Sequence, residues 1–274
     1  VEVRPGNRAV VHHVLIYIDG LGASAKLDGK DHDGQPGYTS FGGPGFIPTG
    51  LLGGWAPGND PHFLPDGVGN LVPKGALLVI QVHYHKDGKP ETDLTRIGLH
   101  FCRTTVDKRV AGGFAINWMF QIPPGDKHYE VTAQTAFDHD MHILAVTPHM
   151  HLLGTDMKVW AVLPNKTVEP LVWIKNWDFN WQASYYFKTP IPLPKGSVVK
   201  LVAHYDNSSD NLRNPNRLHL KTVGWGEQTT DEMCICFITG TLDNQHLAAK
   251  QRSPASARQI SSSLHHRALR VSRR

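Results

Sequence analysis

The groups able to do chemistry in this 274-residue chain are imidazoles and one thioether: His12, His13, His83, His149, His151 and Met233. His149-Met150-His151 closes an apolar, β-branched run that opens at His142, which is strand composition. A strand alternates faces at every residue, so His149 and His151 emerge on one side, about 6.5 Å apart along the backbone. Two imidazoles converging from one strand make half a metal site. The plainer alternative is a pair of surface histidines on an exposed strand. Against it stand other imidazole and sulfur groups able to complete a site.

His12 and His13 are adjacent inside a second strand-like run, from Arg8 to Asp19. Neighbours in a regular strand face opposite ways, so both can bind one metal only at a bulge or a strand end; otherwise one lies in the core and one outside. His83 and His85, in Gln81-Val-His-Tyr-His85, share a face. His83 completes a three-imidazole set if its strand lies beside that of His12 and His13. His139 and His142 offer support at most, and His265 and His266 lie in the tail. Met233, in Asp231-Glu232-Met233-Cys234-Ile-Cys236, reads first as core filler. A thioether combined with imidazole, however, favours copper, because it accommodates the cuprous state; zinc more often recruits carboxylate or thiolate. Two sets therefore stand in different halves of the chain: three histidines, and two histidines with a methionine.

The elements that must position these groups are strands. β-branched runs fall at 8–19, 76–85, 95–103, 115–122, 129–136, 142–151, 157–163, 168–175, 181–187, 198–205 and 232–239, and helical periodicity is nowhere sustained, so the chain is all-β. Residues 20–70, rich in Gly, Pro and Asp, read as one long functional or surface loop. An internal echo sets Pro73-Lys-Gly75, followed by His83-Tyr84, against Pro194-Lys-Gly196, followed by His204-Tyr205, 121 residues later. His204, the mate of His83, lacks a His-His partner in its own half and reads as a core or hydrogen-bonded residue. Length and echo together predict two β domains, 1–124 and 125–243. Residues 244–274, rich in Ser, Arg, Ala and Gln, are expected to be a disordered tail.

Charge excludes more than it suggests. The tail holds seven Lys/Arg and no acid, leaving 21 basic against 24 acidic residues in the body, so nothing there asks for nucleic acid. No apolar run is long enough to span a bilayer. Cys102, Cys234 and Cys236 cannot make a disulfide framework, and the last two read as small buried hydrophobes. Val1 opens directly in an extended segment, which reads as a fragment or processed form and leaves room for an upstream redox domain. Asn165-Lys-Thr and Asn207-Ser-Ser are glycan acceptors only in a eukaryotic secretory setting.

The order His12-His13, then Gln81-Val-His83-Tyr84, then His149-Met-His151-Leu-Leu-Gly154, then Asp231-Glu232-Met233-Cys234 resembles the copper type II ascorbate-dependent monooxygenases. That family includes peptidylglycine α-hydroxylating monooxygenase and dopamine β-monooxygenase. The likeness runs from Val10 to Thr239 and takes in Trp55-Ala-Pro57, the 71–84 block and Ala111-Gly-Gly through Ile122-Pro-Pro-Gly125. Asp178-Phe179-Asn180-Trp181 and His204-Tyr-Asp-Asn-Ser208 look closer to bacterial members. The resemblance implies two tandem jelly-roll-like β-sandwich domains, each with one copper, facing across a solvent-filled cleft. His12, His13 and His83 match the electron-supplying site, with Gln81 in a supporting place beside it. His149, His151 and Met233 match the site where dioxygen and a small-molecule substrate meet. Ascorbate, or a similar electron donor, is the implied reductant, C–H hydroxylation the implied reaction, and an extracytoplasmic compartment the implied setting.

Three departures accompany the likeness. The chain begins late against the family's first domain, and the disulfides of the animal enzymes are missing. The peptide-acting branch has Arg, Asn and Tyr where this chain has Thr147, Ile235 and Phe237, which predicts a less polar substrate. The competing readings are a non-catalytic copper-binding or electron-transfer module of a larger redox protein, and a β-sandwich interaction domain with incidental histidines.

Overall fold

The computed structural model of the chain describes residues 1–32, 34–85 and 87–248. In chain order the strands are β1 Glu2–Arg4, β2 Val11–Asp19, β3 Gly50–Trp55, β4 Val68–Gly69, β5 Leu77–Tyr84 and β6 Arg96–Gly98. Next come β7 Lys108–Ile116, β8 Gln121–Ile122, β9 Tyr129–Ala136, β10 Met141–His149 and β11 Gly154–Val162. The last are β12 Val168–Ile174, β13 Tyr185–Leu193, β14 Val198–Tyr205, β15 Val223–Gly224 and β16 Ile235–Leu242. No helix of the described residues is long and apolar enough to cross a membrane.

Two apolar cores organise the molecule. The larger lies between a five-stranded sheet, ordered β13-β10-β16-β7-β4, and a four-stranded sheet, ordered β12-β11-β14-β9. Alternation does this work: β14 reads buried at every second residue from Val199 to Tyr205, the period-2 pattern of a strand with one face in a core. The smaller core is seven buried residues, among them Val14, Ile16 and Trp55, under the β3-β2-β5 sheet. The chain is thus all-β with one full sandwich. The first unit is slighter than a second sandwich, a three-stranded sheet with the β1-β6 pair beside it.

The structure corrects several boundaries. β7 pairs with β16 along seven residues and buries Ala115 in the larger core, and β4 pairs with β7, so strands from both sides of residue 124 build the larger sheet. The stretch 20–70 is not one loop: it contains β3, which pairs with β2. Gly50, Gly53 and Gly54 hid a strand whose stability comes from pairing rather than from side-chain propensity. Residues 181–184, expected as strand, lie outside the sheets. The expected disordered tail starts too early, because Leu247 and Ala248 donate backbone N–H groups to Asp107. The rest of that tail, 249–274, with His265 and His266, falls outside the described residues.

Candidate metal centres

β2 is irregular where the chemistry needs it to be. Its register against β5 shifts between Val11 and His13, so that Val11 faces Tyr84 and His13 faces His83 with His12 as the extra residue. A bulge of this kind turns two adjacent side chains towards one side. A ring nitrogen from each of His12, His13 and His83 lies within 4.8 Å of the other two, and the Nδ1 atoms of His12 and His13 are 3.0 Å apart. Burial, reinforced by neighbouring imidazoles, lowers His12 to about 4 and His13 to about 3. Burial also lowers His83, with Glu227 pulling the other way.

All three rings are therefore neutral at ordinary pH, the state a metal requires. His12 also has a buried Nε2 without a hydrogen-bond partner. An imidazole with one nitrogen orphaned and the other crowded by a second imidazole is poorly satisfied as a structural residue. It is well suited as a ligand, and the donor set fits a copper ion.

Gln81, on the same strand face as His83, accepts from the Tyr17 hydroxyl and donates to the Gly42 and Gly43 carbonyls. Its reach is to the loop that brings Phe41 edge-on to His83, with ring centroids 5.7 Å apart. His85 is exposed and stands outside the cluster. His204, the repeat-mate of His83, is hydrogen-bonded to Asp156 at 3.1 Å and stacked on His128 at 4.0 Å.

The second centre forms at the end of β10. His149 makes its last rung opposite Ile235 of β16, and His151 follows just beyond, with ring centroids 5.2 Å apart and planes at 85°. Carried two residues on, that register sets Met233 level with His151. Glu232, fully buried, fastens the two together: its carboxylate accepts the N–H of His151 at 2.8 Å, of Leu153 at 2.6 Å and of Met233 at 3.2 Å. Burial pushes this carboxyl up to about 8, against backbone donors, Gly154 among them, that favour the charged form. The Met233 carbonyl is held by the Tyr205 hydroxyl at 2.8 Å. Cys234 and Cys236 are buried, with thiols raised to about 12, so they act as apolar filler.

Hydrogen bonding decides which nitrogen each histidine offers. Gln182 donates its Nε2 to the Phe179 carbonyl at 2.7 Å, which leaves its Oε1 to accept from His149 Nδ1, also at 2.7 Å. His151 Nδ1 donates to the Asp231 carbonyl at 3.1 Å. Both rings therefore carry the proton on Nδ1 and present an Nε2 lone pair. Burial lowers both, His149 to about 3. The sequence singles out neither Gln182 nor Glu232; the only trace is that Gln182 directly follows the Asp178–Trp181 motif and that Glu232 lies in Asp231-Glu232-Met233. His139 pairs with Asp138, and His142 with Asp243 at 2.6 Å, at the far end of β10.

The two centres do not face each other across water alone. The Phe179 ring stacks on His12 at 4.7 Å and meets His151 edge-on at 5.9 Å.

Residues 113–241 match the family model described as copper type II ascorbate-dependent monooxygenase, C-terminal domain. Over 202 residues the chain is 24% identical to MOXD1 homolog 1 of Drosophila melanogaster, covering 68% of this chain and 27% of that protein. It is 22% identical over 260 residues to DBH-like monooxygenase protein 1 of Gallus gallus, and 23% over 263 residues to the Homo sapiens protein of that name. In both cases 86% of this chain and 40% of the relative are covered. Residues 113–241 thus match the C-terminal domain of the copper type II ascorbate-dependent monooxygenases, a family whose description names copper as its metal and ascorbate as its reductant. It spans well under half the length of these relatives.

Proposed function

We propose that the chain is a monooxygenase that hydroxylates a C–H bond of a small molecule with dioxygen, using two separated coppers and electrons from ascorbate or a similar one-electron donor. One observation carries this reading: the fold offers two separate sets of neutral imidazoles, and Glu232 fastens Met233 beside the second. Copper supplies one-electron redox chemistry and dioxygen activation when bound. His12, His13 and His83 would hold the electron-supplying ion; His149, His151 and Met233 would hold the ion at the reaction centre. Three protein ligands would leave a position for an exchangeable ligand. Gln182 and the Asp231 carbonyl keep the Nδ1 protons off the metal-facing side, and burial keeps both rings from competing protonation.

A copper titration followed by X-ray absorption tests the assignment. The expected result is two coppers per chain, one of them with a sulfur neighbour. Ascorbate-dependent oxygen uptake should be coupled to substrate, and Met233→Ala should abolish that coupling. An electron-transfer module would bind copper and show no coupled turnover in either form.

The substrate surface supports an apolar ligand. Thr147 faces Phe237, which faces Phe114, and each lies two residues from the His149–Ile235–Ile116 row, so both rows share one sheet face. Phe114 continues to Trp118 at 6.4 Å, and Trp118 to Trp225 at 4.8 Å. No charge stands on those rows to hold a peptide carboxylate. Glycine-extended peptides should bind weakly; tight binding that depends on their carboxylate would overturn this substrate class.

A further inference from the structure

We infer that Phe179 is a spacer that holds the two metal sites at one short, fixed separation, within a frame formed by residues 177–184; this rests on the two-copper reading above. The ring is only 8% exposed, yet it belongs to neither apolar core. Its aromatic contacts are one histidine from each site: His12, nearly parallel at 20°, and His151, nearly perpendicular at 87°. Those two centroids are accordingly no more than 10.6 Å apart, the sum of the two ring separations. A phenylalanine serving only to fill a core would pack among aliphatic groups.

The frame is tied on both sides. Towards the larger unit, Trp177 donates its indole N–H to the His151 carbonyl at 2.9 Å, and Gln182 binds both His149 and the Phe179 carbonyl. Towards the smaller unit, Gln182 donates its backbone N–H to the Pro57 carbonyl at 2.9 Å. Asn59 donates to the Gln182 carbonyl at 3.1 Å and accepts from the Ser184 N–H at 2.7 Å. Trp181 lies over Gly58, where any Cβ would sit 2.9 Å from the indole and φ is +91°, so only glycine lets the two chains approach this closely. One eight-residue segment thus touches three of the six proposed ligands, His12, His149 and His151, and spans both units.

The test is the dipolar coupling between two cupric ions, read by electron paramagnetic resonance on the fully loaded chain. Two variants report independently. Phe179→Leu keeps apolar bulk and removes the flat ring, while Asn59→Ala cuts two bonds of the frame and contacts neither metal set. The expected result is one narrowly distributed dipolar splitting in the wild type. Either variant should keep two coppers and the wild-type spectrum of each singly loaded site, but show weakened, broadened coupling. Unchanged coupling in a folded Phe179→Leu or Asn59→Ala protein overturns the spacer role. A wild-type chain that takes fewer than two coppers instead overturns the two-copper reading on which it rests.

Discussion

At the scale of single residues, the side chains that act on the ligands are as informative as the ligands. Gln182 fixes one tautomer of His149 because its own amide is oriented by the Phe179 carbonyl. Partners of this kind change metal affinity by roughly 10- to 100-fold. Gln182→Ala should therefore weaken copper at the sulfur-bearing site by that order and leave the three-histidine site unchanged, which competition with a chelator of known affinity would measure. Glu232 makes a different kind of contribution. It joins the His151 turn to the Met233 strand by accepting backbone N–H groups from both. Glu232→Gln puts an NH2 where an acceptor is required, and a buried donor left unsatisfied costs about 1–3 kcal/mol. The expected outcome is a loss of about that size in urea unfolding and loss of sulfur scattering from the copper-loaded protein.

At the scale of elements, the repeated Pro-Lys-Gly turn shows what a sequence can reveal. Both copies adopt the same geometry: Ala76 and Ser197 donate back to Pro73 and Pro194, and Gly75 and Gly196 hold φ at +80° and +88°. Each launches a strand ending in His-Tyr, β5 and β14, so the echo in the letters is an echo in the fold. An L-residue in that region costs about 1–2 kcal/mol. Gly75→Ala and Gly196→Ala should each lower stability by that amount, the first disturbing only the smaller sheet, as hydrogen exchange would locate. Strands with a period-2 pattern were legible for the same reason that they are stable, since one face meets a core. β3 was not legible because three of its six residues are glycine, and residues 181–184 were misread because their backbone groups bond to the 57–59 loop instead of a sheet. The candidate ligands are legible in the sequence, whereas Gln182 and Phe179 act through contacts with histidines on other segments, 33 residues away for Gln182 and His149.

At the scale of the molecule, the two units are unequal, and this inequality predicts how the chain can be divided. Twenty-three residues lie buried in the larger core and seven in the smaller. A unit with so little buried apolar surface cannot offset the entropy of ordering its chain. The larger unit owns its lower edge as well, because Lys108 donates to the carbonyls of Leu242, Asp243 and Gln245, and Asp107 caps Ala248. A fragment of residues 104–248 should therefore unfold in one cooperative transition and bind a single copper with a sulfur neighbour, since His149, His151, Met233, Glu232 and Gln182 all lie within it. It loses the three hydrogen bonds to Pro57 and Asn59, at about 1 kcal/mol each, so its urea midpoint should fall below that of the larger unit in the intact chain. The complementary fragment 1–103 should show no cooperative transition, and its three histidines should bind copper only weakly. If the small fragment melted cooperatively alone, or the large one failed to take up its copper, the division of labour between a rigid sandwich and a dependent, three-histidine sheet would be wrong.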